Sequence, residues 1–411
     1  MKDSGIEWIG EIPEGWEVGQ IGQLYSERRT KVSDKDYPPL SVTMRGILPQ
    51  LSTAAKTDAH DDRKLVCKGD FAINSRSDRR GSCGISEQDG SISLINTVLQ
   101  PRGEMNPGYY NWLFHTSMFA DEFYKWGHGI VDDLWTTGWS DMKKIGVPVP
   151  SKCEQKQLAE HLNFECSNID TILSKTRSSI EEYKKLKQAV ITQAVTKGVR
   201  GKREMKDSGV EWIGEIPVDW TIQRFARVAE VKSNLVSPDN YLEYPQISPE
   251  NIEKDSGKLL LPCKTVGEVG IISGNHLFYK GQILYSKIRP KLNKVCIAPF
   301  DGLCSADMYP IETNNDTRYI MYCILSNGFL QQVSMITENR VKMPKINQTE
   351  LSKLLVAIPN FLAEQKEIAD HLDAKCAEID GLIAKKEQLV KELESYKRSL
   401  IYEVVTGKRE V

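Results

Sequence analysis

Two long stretches of the chain carry apolar residues at helical spacing. In both, apolar side chains recur every three, four or seven positions, and no proline interrupts the pattern. The first stretch begins near residue 154 and the second near residue 364. Such a seam exceeds the length of a typical globular helix, so we predict two long helices that pack on each other as a coiled coil. The seam positions are Leu158, Leu162, Ile169, Leu173, Ile180, Tyr183, Leu186 and Val190, and then Ile368, Leu372, Ile379, Ile383, Val390, Leu393, Leu400 and Val404.

The sequence around these helices is written twice. Residues 1–16 read MKDSGIEWIGEIPEGW, and residues 205–220 read MKDSGVEWIGEIPVDW, which differs at three positions. The helix starts also match, because the triplet EQK at 154–156 recurs at 364–366. The chain is therefore ordered as an opening phrase, a mixed region and a helix, followed by the same three parts again. We predict that the apolar residues of the phrase (Trp8, Ile9, Ile12 and Trp16 in the first copy) pack against the helices.

The two mixed regions predict both strands and helices. DFAINS at 70–75 and QILYSK at 282–287 are strand-like runs bounded by Gly or Pro. Residues 111–126 and 319–333 have helical apolar spacing instead. Each mixed region is therefore predicted to form an α+β domain.

The order of these parts predicts a topology. Only a short linker joins the end of the first helix to the second mixed region, so the second helix must return along the first. The predicted fold is α+β, with two pseudo-two-fold-related globular domains separated by two long antiparallel coiled-coil helices. The predicted segments are 1–150 and 205–358 for the domains, 151–204 for the first helix with its linker, and 359–411 for the second helix.

Composition and charge limit the function further. A chain of 411 residues is too long for one ordinary core, so two or more domains are expected. Its hydrophobic content is 40%, and no apolar run is long enough to span a bilayer. We therefore predict a cytoplasmic protein with no membrane contact. Nine cysteines without a CxxC pair favour reduced thiols over disulfides or zinc ligands. A formal net charge of −2 argues against a purely electrostatic nucleic-acid binder. Any nucleic-acid surface must therefore be a local patch.

Catalytic signatures are missing from the sequence. It contains no GxxxxGK phosphate loop, no NPPY-type methyltransferase tetrad, no HExxH and no GxSxG. The six histidines are not spaced like metal ligands; His161 and His371 recur in the first turns of the two helices, where we interpret them as capping or interface residues. These observations favour a binding protein over an enzyme.

Basic residues are concentrated in three short segments, 74–82, 286–294 and 340–345. The first two follow matching phrases, KGDFAINS and KGQILYS. Such segments are often plain solvated surface, but loops with Arg and Lys after a strand also suit phosphate contact and bidentate reading of guanine. Their recurrence favours two DNA-reading domains, each on one half-site of a target that is asymmetric because the domains differ. The candidates are Arg76, Arg79, Arg80, Lys287, Arg289, Lys291, Lys294, Arg340, Lys342 and Lys345.

This doubled organisation resembles the specificity (S) subunit of type I restriction–modification enzymes over essentially the whole chain. The resemblance is carried by the opening phrases WIGEIPEGW and WIGEIPVDW, by the helix starts VPVPSKCEQKQLAEHL and VAIPNFLAEQKEIADHL, and by the helix ends TQAVTKG and YEVVTGK. The phrases SVTMRGILPQ, INSRSDRRGS and YSKIRPKLNK are similar to target-recognition segments of the family. The first of these adds Arg45 to the candidate DNA-binding residues.

The resemblance implies a division of labour within a complex. Target-recognition domains at about 17–150 and 221–358 would read double-stranded DNA, while the helices would set their spacing and bind two modification subunits. The chain itself would be non-catalytic and bind no cofactor. S-adenosylmethionine would belong to the modification subunits, which methylate adenine, and ATP and Mg to restriction subunits that translocate and cleave unmethylated DNA.

Two other classes remain open from the residues alone. One is a coiled-coil adaptor that holds two protein-binding domains and never touches nucleic acid. The other is a stand-alone nuclease or methyltransferase, which purified chain acting alone on DNA would support. Neutralising Lys287, Arg289 and Lys291 distinguishes the adaptor from a DNA-reading chain. The assembled complex should lose DNA binding if these residues read DNA. Binding that persists at moderate salt would favour the adaptor.

Overall fold

The structure, a computed structural model, describes residues 1–50, 60–103, 105–129, 135–338, 340 and 344–411. The chain divides into two units. The first unit comprises Met1–Arg177 and Gln388–Val411, and the second comprises Ser178–Glu387. Among the described residues, no helix combines the length and apolar character needed to cross a membrane.

The two predicted long helices are confirmed. The first long helix runs Lys152–Lys197 and the second runs Leu362–Val405. The units divide differently from the predicted sequence segments, because each unit takes one half of each helix. Each half-helix packs on the opposing half-helix and on the globular part of its own unit, so the contacts do not follow the order of the chain.

Within each unit the two half-helices are antiparallel. In the first unit Lys397 lies 2.6 Å from Asp170, and Arg177 pairs with Glu394. In the second unit Lys187 lies 2.8 Å from Asp380, while the Lys386 ammonium group lies 5.7 Å over the ring of Tyr183. Residue numbers therefore rise along one helix as they fall along the other. The predicted antiparallel direction is confirmed.

The predicted seam is confirmed with one error. The other predicted seam residues are buried or half-buried, but Leu186 is 48% exposed. Its place is taken by Lys187, which is only 6% exposed and pairs with Asp380. A lysine can occupy a seam position when its ammonium group meets a carboxylate there, and the apolar pattern alone does not reveal such a substitution.

The globular part of the first unit is built from antiparallel sheets and short helices. The central sheet has Phe71–Asn74 between Cys83–Ile85 and Asn96–Pro101, with Tyr25–Glu27 beyond the latter. Other strands form smaller sheets, and short helices cover the core. These strands are Lys2–Asp3 with Glu11–Ile12, Glu17–Gln20 with Gly146–Val149, Leu40–Thr43 with Gly46–Pro49, and Gly90–Ile92, Arg63–Val66 and Lys31–Val32 in that order. The helices are Ile21–Leu24, Pro107–Phe114, Ser117–Lys125 and Trp139–Met142, with a 3-10 turn at Ser77–Arg79.

The second unit repeats this plan. Its corresponding sheet has Ile283–Ser286 between Val295–Ile297 and Met308–Glu312, with Glu230–Val231 beyond the latter. The other strands are Leu235–Val236, Asn275–Phe278, Gly302–Cys304 and Gln246–Ile247 in one sheet, Trp220–Arg224 with Leu355–Pro359, and Met205–Asp207 with Glu215–Pro217. The helices are Phe225–Val228, Val266–Val269, Thr317–Leu325, Asn327–Thr337 and Gln348–Ser352, with 3-10 turns at Pro238–Asn240, Pro249–Asn251 and Pro290–Leu292. The α+β prediction is confirmed for both units.

The helical spacing at 111–126 and at 319–333 belongs in each case to two helices rather than one. The break falls at Thr116 in the first unit and at Ser326 in the second. Each hydroxyl caps the following helix by accepting a hydrogen bond from the backbone N–H of Phe119 or Phe329. The apolar spacing continues across both caps, which is why periodicity alone merges the pairs.

The opening phrases pack against the helices as predicted. Trp8, Ile9, Ile12 and Trp16 are buried in one core with Leu400 and Val404 of the second long helix. The Trp16 indole N–H donates to Glu154 at 3.1 Å, and Trp220 of the second phrase donates to Glu364 at 3.2 Å. The repeated glutamates therefore bind the repeated tryptophans, and each phrase is a structural element.

The cysteines agree with the prediction of reduced thiols. All nine are free, and most of them are buried. Burial raises the pKa of the thiols of Cys296 and Cys323 to about 12, so both stay protonated and unreactive at neutral pH.

Candidate nucleic-acid interface

The second basic loop, defined here as residues 287–294, connects two strands of the central sheet of the second unit. It follows Ile283–Ser286 and leads into Val295–Ile297. A 3-10 turn at Pro290–Leu292 forms its tip. Arg289 and Asn293 flank this turn, and both have a left-handed backbone with φ of 44°.

The structure brings this loop together with the basic segment near residue 340. The Arg289 backbone N–H donates to the Pro344 carbonyl at 2.7 Å, and the Ile346 N–H donates to the Lys287 carbonyl at 2.9 Å. Ile288 and Lys345 form an antiparallel bridge between these bonds. Two basic segments that are distant in sequence therefore form one patch. Lys342 lies outside the described residues.

Several cations of this patch are engaged in contacts within the protein. Lys287 lies 5.2 Å over the ring of Tyr309, and Lys294 donates to the Pro249 carbonyl at 2.7 Å. Arg340 binds both Glu350 and the Lys345 carbonyl. The hydrogen bond from Arg340 lowers the pKa of Glu350, so this pair remains ionised at neutral pH.

The remaining cations of the patch point into solvent. Arg289, Lys291 and Lys345 are exposed, and their charged groups have no partner among the residues that the structure describes. A free guanidinium or ammonium group on the surface can bind phosphate or a base edge without first losing an internal bond. These three residues are therefore the members of the patch best suited to an external anion or base.

The first basic loop, residues 75–82, has the same construction in the first unit. It joins Phe71–Asn74 to Cys83–Ile85 and contains the 3-10 turn Ser77–Arg79. The Ser77 N–H donates to the Trp135 carbonyl at 2.9 Å, and Arg76 bridges to Thr136. The segment at 135–136 thus pairs with this loop as 344–346 pairs with the second. Sequence reasoning missed it, because it contains no basic residue that would mark it.

The arginines of the first loop also fall into two groups. Arg80 binds Asp121 and lies 5.4 Å over the ring of Tyr124, so it holds the loop against a helix. Arg79 lies 3.6 Å from Asp78 in a loose surface pair, and Arg76 is exposed with no ion pair among the described residues. Arg76 and Arg79 are therefore the available cations of this loop.

Arg45 lies at the tip of the hairpin formed by Leu40–Thr43 and Gly46–Pro49. The Thr43 hydroxyl accepts a hydrogen bond from the Arg45 N–H at 3.1 Å and donates to the Gly46 carbonyl at 2.9 Å, which fixes the turn. A Cβ added at Gly84 would lie only 2.7 Å from the Cα of Gly46. The tip, which includes Arg45, therefore packs closely on the strand that leaves the first basic loop. The neighbouring Met44, which sequence reasoning did not select, is 72% exposed.

A metal site is not indicated by the geometry. No group of three or more His, Cys, Asp or Glu side chains in the described part of the chain is arranged to hold a metal ion. His371 is exposed and His161 half-buried, and neither has a hydrogen bond that would orient it for catalysis among those residues. The candidate interface thus consists of two basic loops, one in each unit.

The comparisons with known proteins that follow all concern one family. The family model described as "Type I restriction modification DNA specificity domain" matches residues 217–392. The specificity subunit of the type I restriction enzyme EcoDI from Escherichia coli is 37% identical over 257 residues, which cover 59% of this chain and 57% of that subunit. By these matches the chain is similar to type I restriction–modification specificity subunits. The EcoDI match spans a little over half of that relative.

Other specificity subunits match over nearly the full chain. The MjaVIII specificity subunit of Methanocaldococcus jannaschii is 23% identical, with 97% of this chain and 93% of that subunit aligned. A chain from a structure described as "complex assembly and conformational transition of the type I R-M system" superposes with a TM-score of 0.72 at 11% identity, covering 97% and 100% of the two chains. The HsdS subunit of Thermoanaerobacter tengcongensis gives 0.54 at 14% identity, covering 97% and 98%. These structural matches support the specificity-subunit fold.

Proposed function

We propose that this chain is the sequence-reading subunit of a type I restriction–modification complex and that each unit reads one half of a bipartite, asymmetric DNA site. The observation that carries the proposal is the pair of basic loops. Each loop follows the corresponding strand of the central sheet in its own unit, each contains a 3-10 turn, and each is braced by a second segment. Their side chains differ, so the two half-sites should differ as well.

The same proposal assigns the docking of partner subunits to the long helices. Ile172 and Leu382 occupy equivalent positions of the repeat, as do Leu186 and Tyr396, and all four are between 36% and 48% exposed. Within these two pairs, each unit contributes one residue from each long helix. Apolar side chains that recur on a solvent face indicate a covered surface, and two equivalent surfaces suit two modification subunits.

The chemistry of the complex would then lie in those partners. The modification subunits would bind S-adenosylmethionine and methylate adenine, and the restriction subunits would use ATP and Mg to translocate and cleave DNA in the cytoplasm. This chain would select the site and contribute no reacting group. This division is supported by the match to the specificity-domain family model, together with a sequence that lacks the methyltransferase tetrad and the phosphate-loop motif.

The test is to map methylated adenines in cells that express this chain with a modification subunit. The expected result is a split motif whose two halves differ. Replacing residues 17–150 with the corresponding segment of another specificity subunit should change one half only. A continuous motif, or an unchanged one after the replacement, would contradict the proposal.

A further inference from the structure

The backbone of Arg289 adopts a conformation that arginine rarely takes. Its φ of 44° and ψ of 52° lie in the left-handed region, where a Cβ crowds the following carbonyl group. Residues held in such regions persist only where the surrounding structure fixes them, and they concentrate at functional sites. In the described part of the chain, the other non-glycine residues with positive φ are Asp255 and Asn293.

Both ends of the turn that contains Arg289 are fixed. Its N–H donates to the Pro344 carbonyl at 2.7 Å, and its own carbonyl accepts from the Leu292 N–H at 2.8 Å. At the far end, the side chain of Asn293 is buried and donates to the Leu325 carbonyl at 3.3 Å. The Cα of Arg289 therefore has a rigid position, while its guanidinium group is exposed and has no partner among the described residues.

The neighbouring cations do not share these properties. Lys287, Lys294 and Arg340 are engaged with protein groups, as described above. Lys291 is exposed, but an ammonium group on a flexible stem acts as a point charge and does not discriminate between base edges as a planar guanidinium group does. Among the described cations of this loop, Arg289 therefore stands apart. Its backbone is fixed, its guanidinium group is free, and that group can donate two parallel hydrogen bonds.

The first unit has no arginine in a left-handed conformation at the position that corresponds to Arg289. Strand pairing aligns the two loops, because Cys83 lies opposite Ile73 in one sheet and Val295 lies opposite Tyr285 in the other. In that alignment the position of Arg289 corresponds to Ser77, whose φ is not in the left-handed region. The feature is therefore specific to one of the two repeats, as expected for a residue that helps to make the target asymmetric.

We propose that Arg289 is a base-reading residue of the second unit, with its guanidinium group donating two hydrogen bonds to O6 and N7 of a guanine in the major groove. This inference rests on the proposed function of the chain as a DNA-reading subunit. Phosphate contacts position a protein on DNA and base contacts specify the sequence, so Arg289 and Lys291 should respond differently to substitution.

The experiment compares Arg289→Lys with Lys291→Ala in the assembled methyltransferase complex. Arg289→Lys keeps the charge and removes the bidentate fork, so we expect the methylated motif to lose its preference for one G·C pair in one half-site. Discrimination at that position should fall roughly 10- to 100-fold, with the other half unchanged. Lys291→Ala should weaken binding to all sequences equally, lower the slope of log affinity against log salt by about 1, and leave the motif intact.

A third variant separates the side chain from the fold of the loop. Arg289→Gly removes the guanidinium group but favours the left-handed backbone, so the complex should assemble as the wild type does and still lose the same discrimination. An unchanged motif for Arg289→Lys, or an equal loss at every position of the site, would overturn the proposal. A wild-type complex without any split motif would instead overturn the proposed function itself.

Discussion

The ion pair in the helix seam of the second unit makes a quantitative prediction about stability. Both carboxylate oxygens of Asp380 accept from the Lys187 ammonium group, at 2.8 and 2.9 Å, and Lys258 lies 2.6 Å from the same carboxylate. Asp380→Asn would leave the buried charge of Lys187 without a compensating anion. Removing one partner of a buried pair costs roughly 3–5 kcal/mol. Because the side chain of Asp380 keeps 19% of its exposure, we expect the lower end, about 3 kcal/mol.

The repeat supplies a matched control. Asp170 and Lys397 occupy the equivalent positions in the first unit, and they also pair, at 2.6 Å. There the aspartate is 59% exposed and has no third partner comparable to Lys258 among the described residues. Exposed ion pairs contribute below about 1 kcal/mol, so Asp170→Asn should have little effect.

The assay is unfolding in urea, monitored by far-UV circular dichroism. With a slope of about 3 kcal/mol per molar, Asp380→Asn should lower the midpoint of the affected transition by about 1 M, and Asp170→Asn by no more than about 0.3 M. Adding Lys187→Met to Asp380→Asn should recover most of the loss, because the unpaired buried charge is then gone. Equal shifts for the two single variants, or a double variant less stable than Asp380→Asn, would refute the reasoning.

The same pair predicts a pH dependence. Burial alone would raise the pKa of Asp380, but the hydrogen bonds from Lys187 and Lys258 lower it below the ordinary value of 3.8. A lowered folded-state pKa means that the stabilisation is complete above the ordinary value and is lost as the pH falls through the folded value. The urea midpoints of the wild type and Asp380→Asn should therefore converge as the pH falls below the ordinary value of 3.8. A difference that stays constant as the pH falls below that value would show that the carboxylate charge is not the cause.

Two further predictions concern the proposed interfaces. Replacing Lys287, Arg289 and Lys291 together with alanine should abolish DNA binding by the assembled complex at moderate salt and leave assembly intact, which a gel shift and size-exclusion chromatography would check; persistent binding would favour a protein-binding adaptor. Replacing Leu186 or Tyr396 with aspartate should each weaken co-purification of a modification subunit without changing the helical circular dichroism signal, and full retention by both variants would place the docking surface elsewhere.

The sequence predicts the fold where the signal is periodic and repeated. Two helices of more than forty residues and the strands at Phe71–Asn74 and Ile283–Ser286 follow from local patterns. The apolar pattern does not predict positions where a polar contact replaces an apolar one. Lys187 takes a seam position because Asp380 is opposite, and that partner is distant in sequence. The break at Thr116 was likewise hidden by an apolar pattern that continues across it.

The same reason limits what the sequence reveals about the interface. Repetition locates the basic loops, but it does not separate the cations that brace them from those that are free. Arg80 and Arg340 look equivalent to Arg289 in a list of basic residues, yet Asp121 and Glu350 hold the first two in place. Those acidic partners come from helices outside the basic segments, so only the folded structure identifies them.

Repetition and divergence fall on different parts of each unit, and that separation explains how a chain with two similar halves would read the asymmetric target that we propose. The framework contacts are duplicated, since Trp16 binds Glu154 just as Trp220 binds Glu364. The loops differ at the position where side chains would meet bases, with Arg289 in one copy and a serine in the other. A substitution in the loop can therefore change the sequence that is read without disturbing the contacts that hold the unit together. Arg289→Lys and Arg289→Gly test that independence directly, because both should alter the motif and leave assembly unchanged.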